Sequence, residues 1–258
     1  MICALAAKEA QKNNKVVAWI DTENSVDRNY MEKLGLDTKS IIFCQPVDNH
    51  SYGENIVDVI MTLLKMGRRD LKEYPKVNLL VIDSLAGLVS KAEIEGSAED
   101  QMVAPNARMI NRAVRKMNTV NRHTAIVFIN QLRSGIGFRA NDVTPGGRGL
   151  GFFDALRIKT RATERLTSMP NYLGSSKLKT VGRRIHCMVT KSKICPPFGE
   201  CAFDFYYEPA KIDYVKDFIN HGIGSGDIKR AGPYYEINGQ RFRGQEELMA
   251  FAIRSLVS

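Results

Sequence analysis

Long hydrophobic runs are missing from this sequence, and its cysteines are few and scattered. No stretch approaches the roughly 18 consecutive apolar residues that a membrane-spanning helix needs. The first residues, MICALAAKEAQKNNK, predict an amphipathic helix and contain no apolar centre of the length found in a secretory signal. Five cysteines occur without a CxxC motif, at Cys3, Cys44, Cys187, Cys195 and Cys201. These absences predict a reduced, intracellular protein without structural zinc.

Acidic residues are scarce in one part of the chain. Residues 101–200 contain 18 Lys and Arg but only 4 Asp and Glu, whereas the whole chain carries a net charge of +9. A basic segment within an otherwise mildly acidic chain is typical of proteins that bind a polyanion such as a nucleic acid. The alternative is a basic face that contacts only solvent.

The apolar pattern predicts an α/β fold. At 258 residues, the chain is long enough for one large domain or for one with a small appendage. Continuous apolar segments predict buried strands at 16–20, 40–46, 77–83 and 124–130. Helical patterns occupy 25–34, 53–67 and 105–120. Buried strands that alternate with helices indicate a mostly parallel sheet covered on both faces.

The pattern changes after Leu150. Alternating segments near 155–162, 183–193 and 201–208 predict antiparallel strands that extend the sheet. Beyond residue 208, two helical stretches flank a hairpin that turns at Asn238-Gly239. The sequence therefore predicts a core at 1–208 and a small α+β subdomain at 209–258.

Polar side chains follow three of the predicted parallel strands, at Asp21 and Glu23, at Asp83 and Ser84, and at Asn130 and Gln131. Ligands of parallel α/β sheets bind beyond the carboxyl ends of the strands. The segment LLVIDS has the form of a Walker B strand, whose aspartate, here Asp83, holds Mg²⁺ through water in nucleoside triphosphatases. Glu23 would then polarise an attacking water, and Gln131 would sense a γ-phosphate.

Each of these side chains also has a simpler interpretation. An aspartate after a buried strand is a common turn former. Glu23 can cap the helix that follows it. Gln131 can be a buried amide that satisfies backbone groups.

Two long loops follow the Asp83 and Gln131 strands, at 91–105 and 133–151. The second contains six glycines among nineteen residues, which include the pair Gly146-Gly147. Loops of this length are usually functional in compact domains. Glycine amides and arginines suit a sugar-phosphate backbone, and an aromatic ring can stack on bases. The candidate DNA contacts in this loop are Arg133, Phe138, Arg139, Gly146, Gly147 and Arg148. The alternative is a disordered surface loop.

Three arginines lie between those loops at helical spacing, at Arg108, Arg112 and Arg115. They share one face of the predicted helix, while apolar residues such as Ile110 and Met117 line the other. Like charges on one face repel each other unless an anion binds there. The spacing therefore favours a DNA contact.

Six segments occur in order along the chain: LLVIDSLAGLVSKAEIEG, ARMINRAVRKM, FINQLRSGIG, GGRGLGFF, VTKSKICPPF and AGPYYEINGQ. Together they closely resemble the RecA-type recombinases of bacteria and phages, over essentially the whole chain. The resemblance implies a RecA-like P-loop ATPase core that uses ATP and Mg²⁺ and coats single-stranded DNA as a homo-oligomeric helical filament. It also implies pairing with homologous double-stranded DNA, in recombination, repair and the SOS response, in the cytoplasm of a bacterium or a phage-infected cell.

The resemblance further implies roles for individual residues. Glu23 matches the family's catalytic glutamate, Asp83 with Ser84 matches the end of its Walker B strand, and Gln131 matches the glutamine that couples ATP to the second DNA-binding loop. The two DNA-binding loops correspond to residues 93–104 and 133–149. DNA-backbone contacts correspond to Arg108, Arg115 and the Gly146-Gly147 pair.

Lys191 and Lys193 match two lysines that reach the ATP phosphates of a neighbouring protomer. Residues two apart on a strand point the same way, so this pair can hold one polyanion. The alternative is a basic strand edge that deters aggregation.

One motif of the family is absent, because the sequence contains no Gly-Lys dipeptide and hence no GxxxxGK[ST] phosphate-binding loop. MICALAAKEAQKNN matches the helix that follows that loop. We expect weak nucleotide binding without the loop's amides and lysine, and an upstream segment that supplies them. The competing hypothesis is an ATPase-silent module that binds DNA or a recombinase filament. A hexameric helicase of the same fold fits the core but not the KAEIEG and GGRGLGFF loops.

Overall fold

The computed structural model describes residues 1–46, 52–68, 71–96, 105–132, 147–168 and 178–257. Its helices are α1 Ile2–Lys12, α2 Arg28–Lys33, α3 Gly53–Leu63, α4 Lys91–Glu95, α5 Pro105–Val120, α6 Gly147–Phe153, α7 Tyr214–Ser225 and α8 Gly244–Val257. Its strands are β1 Val16–Asp21, β2 Ile41–Cys44, β3 Val77–Asp83, β4 Ala125–Phe128, β5 Leu156–Ser168, β6 Lys179–Ser192, β7 Glu200–Tyr206, β8 Lys211–Ile212, β9 Ile228–Ala231, β10 Tyr234–Ile237 and β11 Gln240–Arg243. The chain divides into two compact units, residues 1–154 and 155–258.

The first unit contains a parallel sheet in the order β2-β1-β3-β4. Side chains of β1 and β3 alternate between its faces, and both faces are buried, as a strand with continuous apolar sequence requires. On one face, Ile20 and Leu80 pack with Ile60 of α3 and Ile110 of α5. Burying a side chain of this size stabilises the fold by about 1.5–3 kcal/mol. The predicted α/β fold is confirmed.

Helix α5 has the predicted bounds and the predicted buried face. Pro105 is the first residue of this helix. A backbone N–H at this position has no hydrogen-bond acceptor within the helix, so the N–H that proline lacks costs no helical hydrogen bond. Its buried residues recur at helical spacing, at Ile110, Ala113, Val114 and Met117. Helix α3 ends at Leu63, earlier than predicted, and Gly67 instead adopts a φ of 72° after a further turn. Gly67 is therefore not the residue that ends the helix.

The second unit contains the antiparallel strands that the sequence predicted after Leu150, but among the described residues they form a sheet of their own and do not extend the parallel sheet. They pair in the order β5-β6-β7-β8. Strands β9 to β11 form a three-stranded antiparallel sheet, and Ile237 of β10 packs with Ile219 of α7 and Leu248 of α8. The hairpin turns at Asn238 and Gly239, with φ values of 50° and 75°, as the Asn-Gly pair predicts. The boundary at 208/209 stays a prediction.

None of the helices in the described ranges is both long and apolar enough to cross a bilayer.

Candidate functional site

Two neighbouring strands of the parallel sheet end side by side. The register of β1 and β3 places Asp21 opposite Asp83, and the backbone amide of Thr22 donates to the Asp83 carbonyl at 2.8 Å. The acidic residues that follow each strand therefore meet at one edge of the sheet. This is the edge where parallel α/β proteins bind ligands.

Thr22 and Ser84 join the two strand ends. The Thr22 hydroxyl donates to the Ser84 carbonyl at 2.8 Å and accepts from the Ser84 amide at 2.9 Å. Ser84 is buried, and its own hydroxyl donates to Oε1 of Glu23, whose side chain is exposed. The site thus holds an exposed carboxylate with a buried hydroxyl. Sequence reasoning missed Thr22, because nothing in the local pattern shows which group faces it.

Asp21 is buried, in contrast to the exposed Glu23. Its side chain is fully buried and accepts hydrogen bonds from the amides of Ser25 at 3.2 Å and Val26 at 2.9 Å. It also accepts from Nε2 of Gln45 at 2.9 Å. The two backbone bonds turn the chain after β1 and so place Glu23, while the bond from Gln45 ties this turn to the end of β2. Gln45 follows β2 at the same edge, and its sequence context contained no signal for this contact.

Burial raises the pKa of Asp83 above its ordinary value, and the nearby charges of Asp21 and Glu23 raise it further. The chain's terminal ammonium partly opposes this rise. Three carboxylates at one edge produce a negative potential that a cation relieves. Among the described residues, no group of three His, Cys, Asp or Glu side chains has the arrangement of a metal cage.

Gln131 lies just beyond β4. The pairing of β3 with β4 continues past Phe128, because the amide of Ile129 donates to the Ile82 carbonyl at 2.9 Å. Leu85 in turn donates its amide to the Ile129 carbonyl at 3.0 Å. Gln131 is therefore near the same sheet edge, and its side chain is exposed rather than buried.

The structure exposes Arg108, Arg112 and Arg115 on one face of α5. An open groove of about 400 Å³ runs between this face and Met61 of α3. Its lining residues are Met61, Arg112, Arg115, Lys116, Thr119 and Val120. Lys116 adds a fourth cation to this face, one that the i, i+4, i+7 pattern did not include.

The remaining predicted residues fall in three groups. Lys191 and Lys193 belong to the second unit. Lys191 is half-buried near the end of β6, where it pairs with Arg157 of β5. Lys193 lies just after β6, and its side chain is exposed. Arg133, Phe138, Arg139, Gly146 and residues 97–104 lie outside the described residues. Gly147 and Arg148 form the first turn of α6.

A parallel α/β sheet with a carboxylate edge and a cationic helix face defines a class of α/β proteins that bind ligands beyond their strand ends. Within that class, the chain belongs to the RecA family, since the family model for the RecA N-terminal domain matches residues 2–211.

Curated relatives support the same assignment. The chain is 36% identical to protein RecA of Streptomyces rimosus over 251 residues, which cover 95% of this chain and 61% of that protein. It is 32% identical to protein RecA of Thermus aquaticus over 250 residues, covering 95% and 68%. Protein RecA of Mesoplasma florum is 35% identical over 240 residues, covering 92% and 66%. The chain thus spans 61–68% of the length of these relatives.

Proposed function

We propose that this chain is the main part of an ATP-dependent DNA recombinase. It would bind single-stranded DNA as a filament and promote homologous pairing and strand exchange with a duplex. The observation that carries the proposal is the hydrogen bond from Ser84 to Glu23 at the joined ends of β1 and β3, in a chain of the RecA family. A carboxylate held at the ligand-binding edge of a parallel sheet suits hydrolysis of a nucleotide bound there.

In this proposal, Glu23 is the general base that takes a proton from the attacking water. Ser84 holds one carboxylate oxygen of Glu23, so the other oxygen can face the water. Asp83 would hold Mg²⁺ through water, and the ion would neutralise charge on the transferred phosphate group. Gln131, exposed past β4, would sense the γ-phosphate and transmit its presence to the loop at 133–149.

The proposed DNA contacts lie on the exposed face of α5. Arg108, Arg112 and Arg115 would pair with backbone phosphates, together with arginines and glycines of the loop at 133–149. Lys191 and Lys193 would bind the nucleotide phosphates of a neighbouring protomer, which makes the filament part of the catalytic unit.

The test compares two proteins: the 258-residue chain, and the same chain joined at Met1 to an upstream segment that carries a GxxxxGK[ST] loop. We expect the joined protein to hydrolyse ATP in the presence of single-stranded DNA and to form filaments in electron micrographs. We expect Glu23→Gln to lower its ATPase rate by about 10²–10⁴-fold. Glu9→Gln on α1 is the matched control, since Glu9 is exposed and its carboxylate accepts a hydrogen bond from Lys12 of the same helix. Failure of the joined protein to hydrolyse ATP or to form filaments contradicts the proposal.

A second candidate is an ATPase-silent module that binds DNA or a recombinase filament. The lack of a GxxxxGK[ST] motif among these residues favours it. It predicts that the joined protein binds single-stranded DNA without measurable ATP hydrolysis, and that Glu23→Gln changes neither property.

A further inference from the structure

Two cysteines that are far apart in sequence face each other across the second unit's sheet. Strands β6 and β7 are antiparallel, and their register places Cys187 directly opposite Cys201. The register is continuous from Gly182 to Met188, so no bulge separates the pair. Directly opposed residues of an antiparallel pair project their side chains from the same face of the sheet.

The hydrogen-bond pattern determines how far apart the two backbones are. The amide of Val189 donates to the Gly199 carbonyl at 2.9 Å, and the amide of Tyr207 donates to the Val181 carbonyl at 2.9 Å. Cys187 is an even number of residues from both Val189 and Val181, so it occupies a hydrogen-bonded pair position. Cα atoms in such pairs are about 5.5 Å apart. That separation is within the commonest range for disulfides.

Both residues are free thiols, and Cys201 is the cross-strand neighbour of Cys187. Their environments differ. Cys187 is buried, whereas Cys201 is exposed to solvent. Burial raises the pKa of Cys187, and neighbouring Cys201 raises it further. Cys201 is therefore the thiol that a soluble oxidant reaches first, and Cys187 is the partner beside it.

We propose that Cys187 and Cys201 form a site of reversible thiol–disulfide exchange with a small soluble disulfide such as oxidised glutathione. The Cys201 thiolate attacks one sulfur of oxidised glutathione, which breaks its S–S bond and releases one glutathione thiolate. Cys187 then loses its proton and attacks Sγ of Cys201, releasing the second glutathione. The two protein thiols lose two electrons in total, and these reduce one glutathione disulfide to two thiols.

The disulfide would close a loop over residues 188–200. This loop contains Lys191 and Lys193. Oxidation would therefore restrict the segment that carries both lysines, while reduction by a dithiol would release it. Formation of the bond itself does not depend on the function proposed above.

In the experiment, the full chain is incubated with oxidised glutathione. Ellman's reagent then measures the number of free thiols in the untreated and the oxidised protein. Two of the five thiols should be lost, and dithiothreitol should restore both. Trypsin cleaves after Lys191 and Lys193, so the peptides that contain Cys187 and Cys201 should migrate as one linked species only in the oxidised sample. Cys195→Ser is the matched control, because Cys195 follows the same strand and its loss should leave the disulfide intact.

Two variants test the order of attack. Cys187→Ser should accumulate a stable glutathione adduct on Cys201, whereas Cys201→Ser should leave Cys187 unmodified. The inference is overturned if the wild-type chain keeps all its thiols, if the linked peptide requires Cys195, or if Cys201 of the wild type remains as a glutathione adduct. The wild-type thiol count and the linked peptide together decide the matter even if a variant does not fold.

Discussion

Ser84 Oγ donates a hydrogen bond to Oε1 of Glu23, so a buried hydroxyl at the end of β3 orients an exposed carboxylate that follows β1. The two residues are 61 positions apart in sequence. The contact exists because the parallel register of β1 and β3 ends both strands at the same level.

Replacing Ser84 with alanine should lower the ATPase rate strongly while the protein remains folded. We expect Ser84→Ala to lower the free energy of unfolding by about 1 kcal/mol, the usual contribution of one hydrogen bond. Loss of Glu23 orientation should lower the DNA-dependent ATPase rate of the joined protein by roughly tenfold, equivalent to about 1.4 kcal/mol. Ser225→Ala removes a hydroxyl that bonds to Gly222 and Asp227 in the second unit, and it should leave the ATPase rate unchanged. Equal ATPase rates for the two variants would contradict the role of Ser84.

Replacing Thr22 with valine should destabilise the first unit. The buried amide of Ser84 loses its hydrogen-bond acceptor while the side-chain volume stays nearly the same. An unsatisfied buried donor costs about 1–3 kcal/mol. Chemical denaturation should show this loss. Thr119→Val on α5 removes an exposed hydroxyl that donates to the helix carbonyl of Arg115, and it should change stability by less than about 0.5 kcal/mol.

Replacing Asp83 with asparagine should stabilise the free chain and abolish metal-dependent activity. Burial and neighbouring carboxylates raise the pKa of Asp83 in the folded state, so folding favours its protonated form. That contribution is fully present below the ordinary pKa of 3.8 and is lost as pH rises through the raised folded value. At neutral pH the ionised carboxylate therefore costs stability.

Asp83→Asn removes that cost. The melting temperature at pH 7 should rise, because the neutral amide does not carry the desolvation cost of an ionised carboxylate. The difference from wild type should shrink as the pH falls toward about 4. Calorimetry from pH 4 to 8 measures both effects, and a lower melting temperature at pH 7 would show that Asp83 stabilises the fold.

Replacing Lys216 with methionine should destabilise the second unit. Burial pushes the pKa of Asp204 upward, but hydrogen bonds from Arg184 and Lys216 outweigh it and hold that pKa below its ordinary value. Lys216 donates to Asp204 at 2.6 Å, and Asp204 is 5% exposed. A hydrogen bond to a charged group contributes about 1.5–3 kcal/mol, and we expect a loss toward the lower end because Lys216 is partly exposed.

The pH dependence provides a second measurement. A depressed pKa contributes stability that is present above the ordinary value of 3.8 and is lost as pH falls through the folded pKa. In Lys216→Met the folded pKa of Asp204 rises, so less of this stability is present at neutral pH. Lys229→Met, on the exposed side of β9, should leave the unfolding curve unchanged at every pH.

Replacing Arg115 with glutamine should weaken DNA binding without changing the fold. Arg115 is exposed on α5 and lines the groove beside Met61. Loss of one phosphate contact should lower affinity for single-stranded DNA. The slope of log affinity against log salt should fall by about 0.7. Arg254→Gln on α8 removes the same charge from the second unit, and an equal change of slope there would show that only net charge matters.

Much of the fold was predictable because its determinants are local. Continuous apolar segments predicted each strand of the parallel sheet, and helical spacing predicted the buried face of α5 that includes Ile110 and Met117. The Asn238-Gly239 turn depends on two residues that tolerate positive φ. The end of α3 was less predictable, because several residues after Leu63 continue in turns before Gly67 is reached.

The sequence by itself determined which chemistry is available: an acidic residue after each of two apolar strands, three arginines on one helix face, and five unpaired cysteines. Only the tertiary structure decided which of these groups meet. Parallel pairing placed Ser84 against Glu23. It also brought Gln45 close enough to donate a hydrogen bond to the Asp21 carboxylate. Antiparallel pairing placed Cys187 opposite Cys201. The reason is physical: strand register is set by hydrogen bonds and packing between distant segments, which a one-dimensional pattern does not contain.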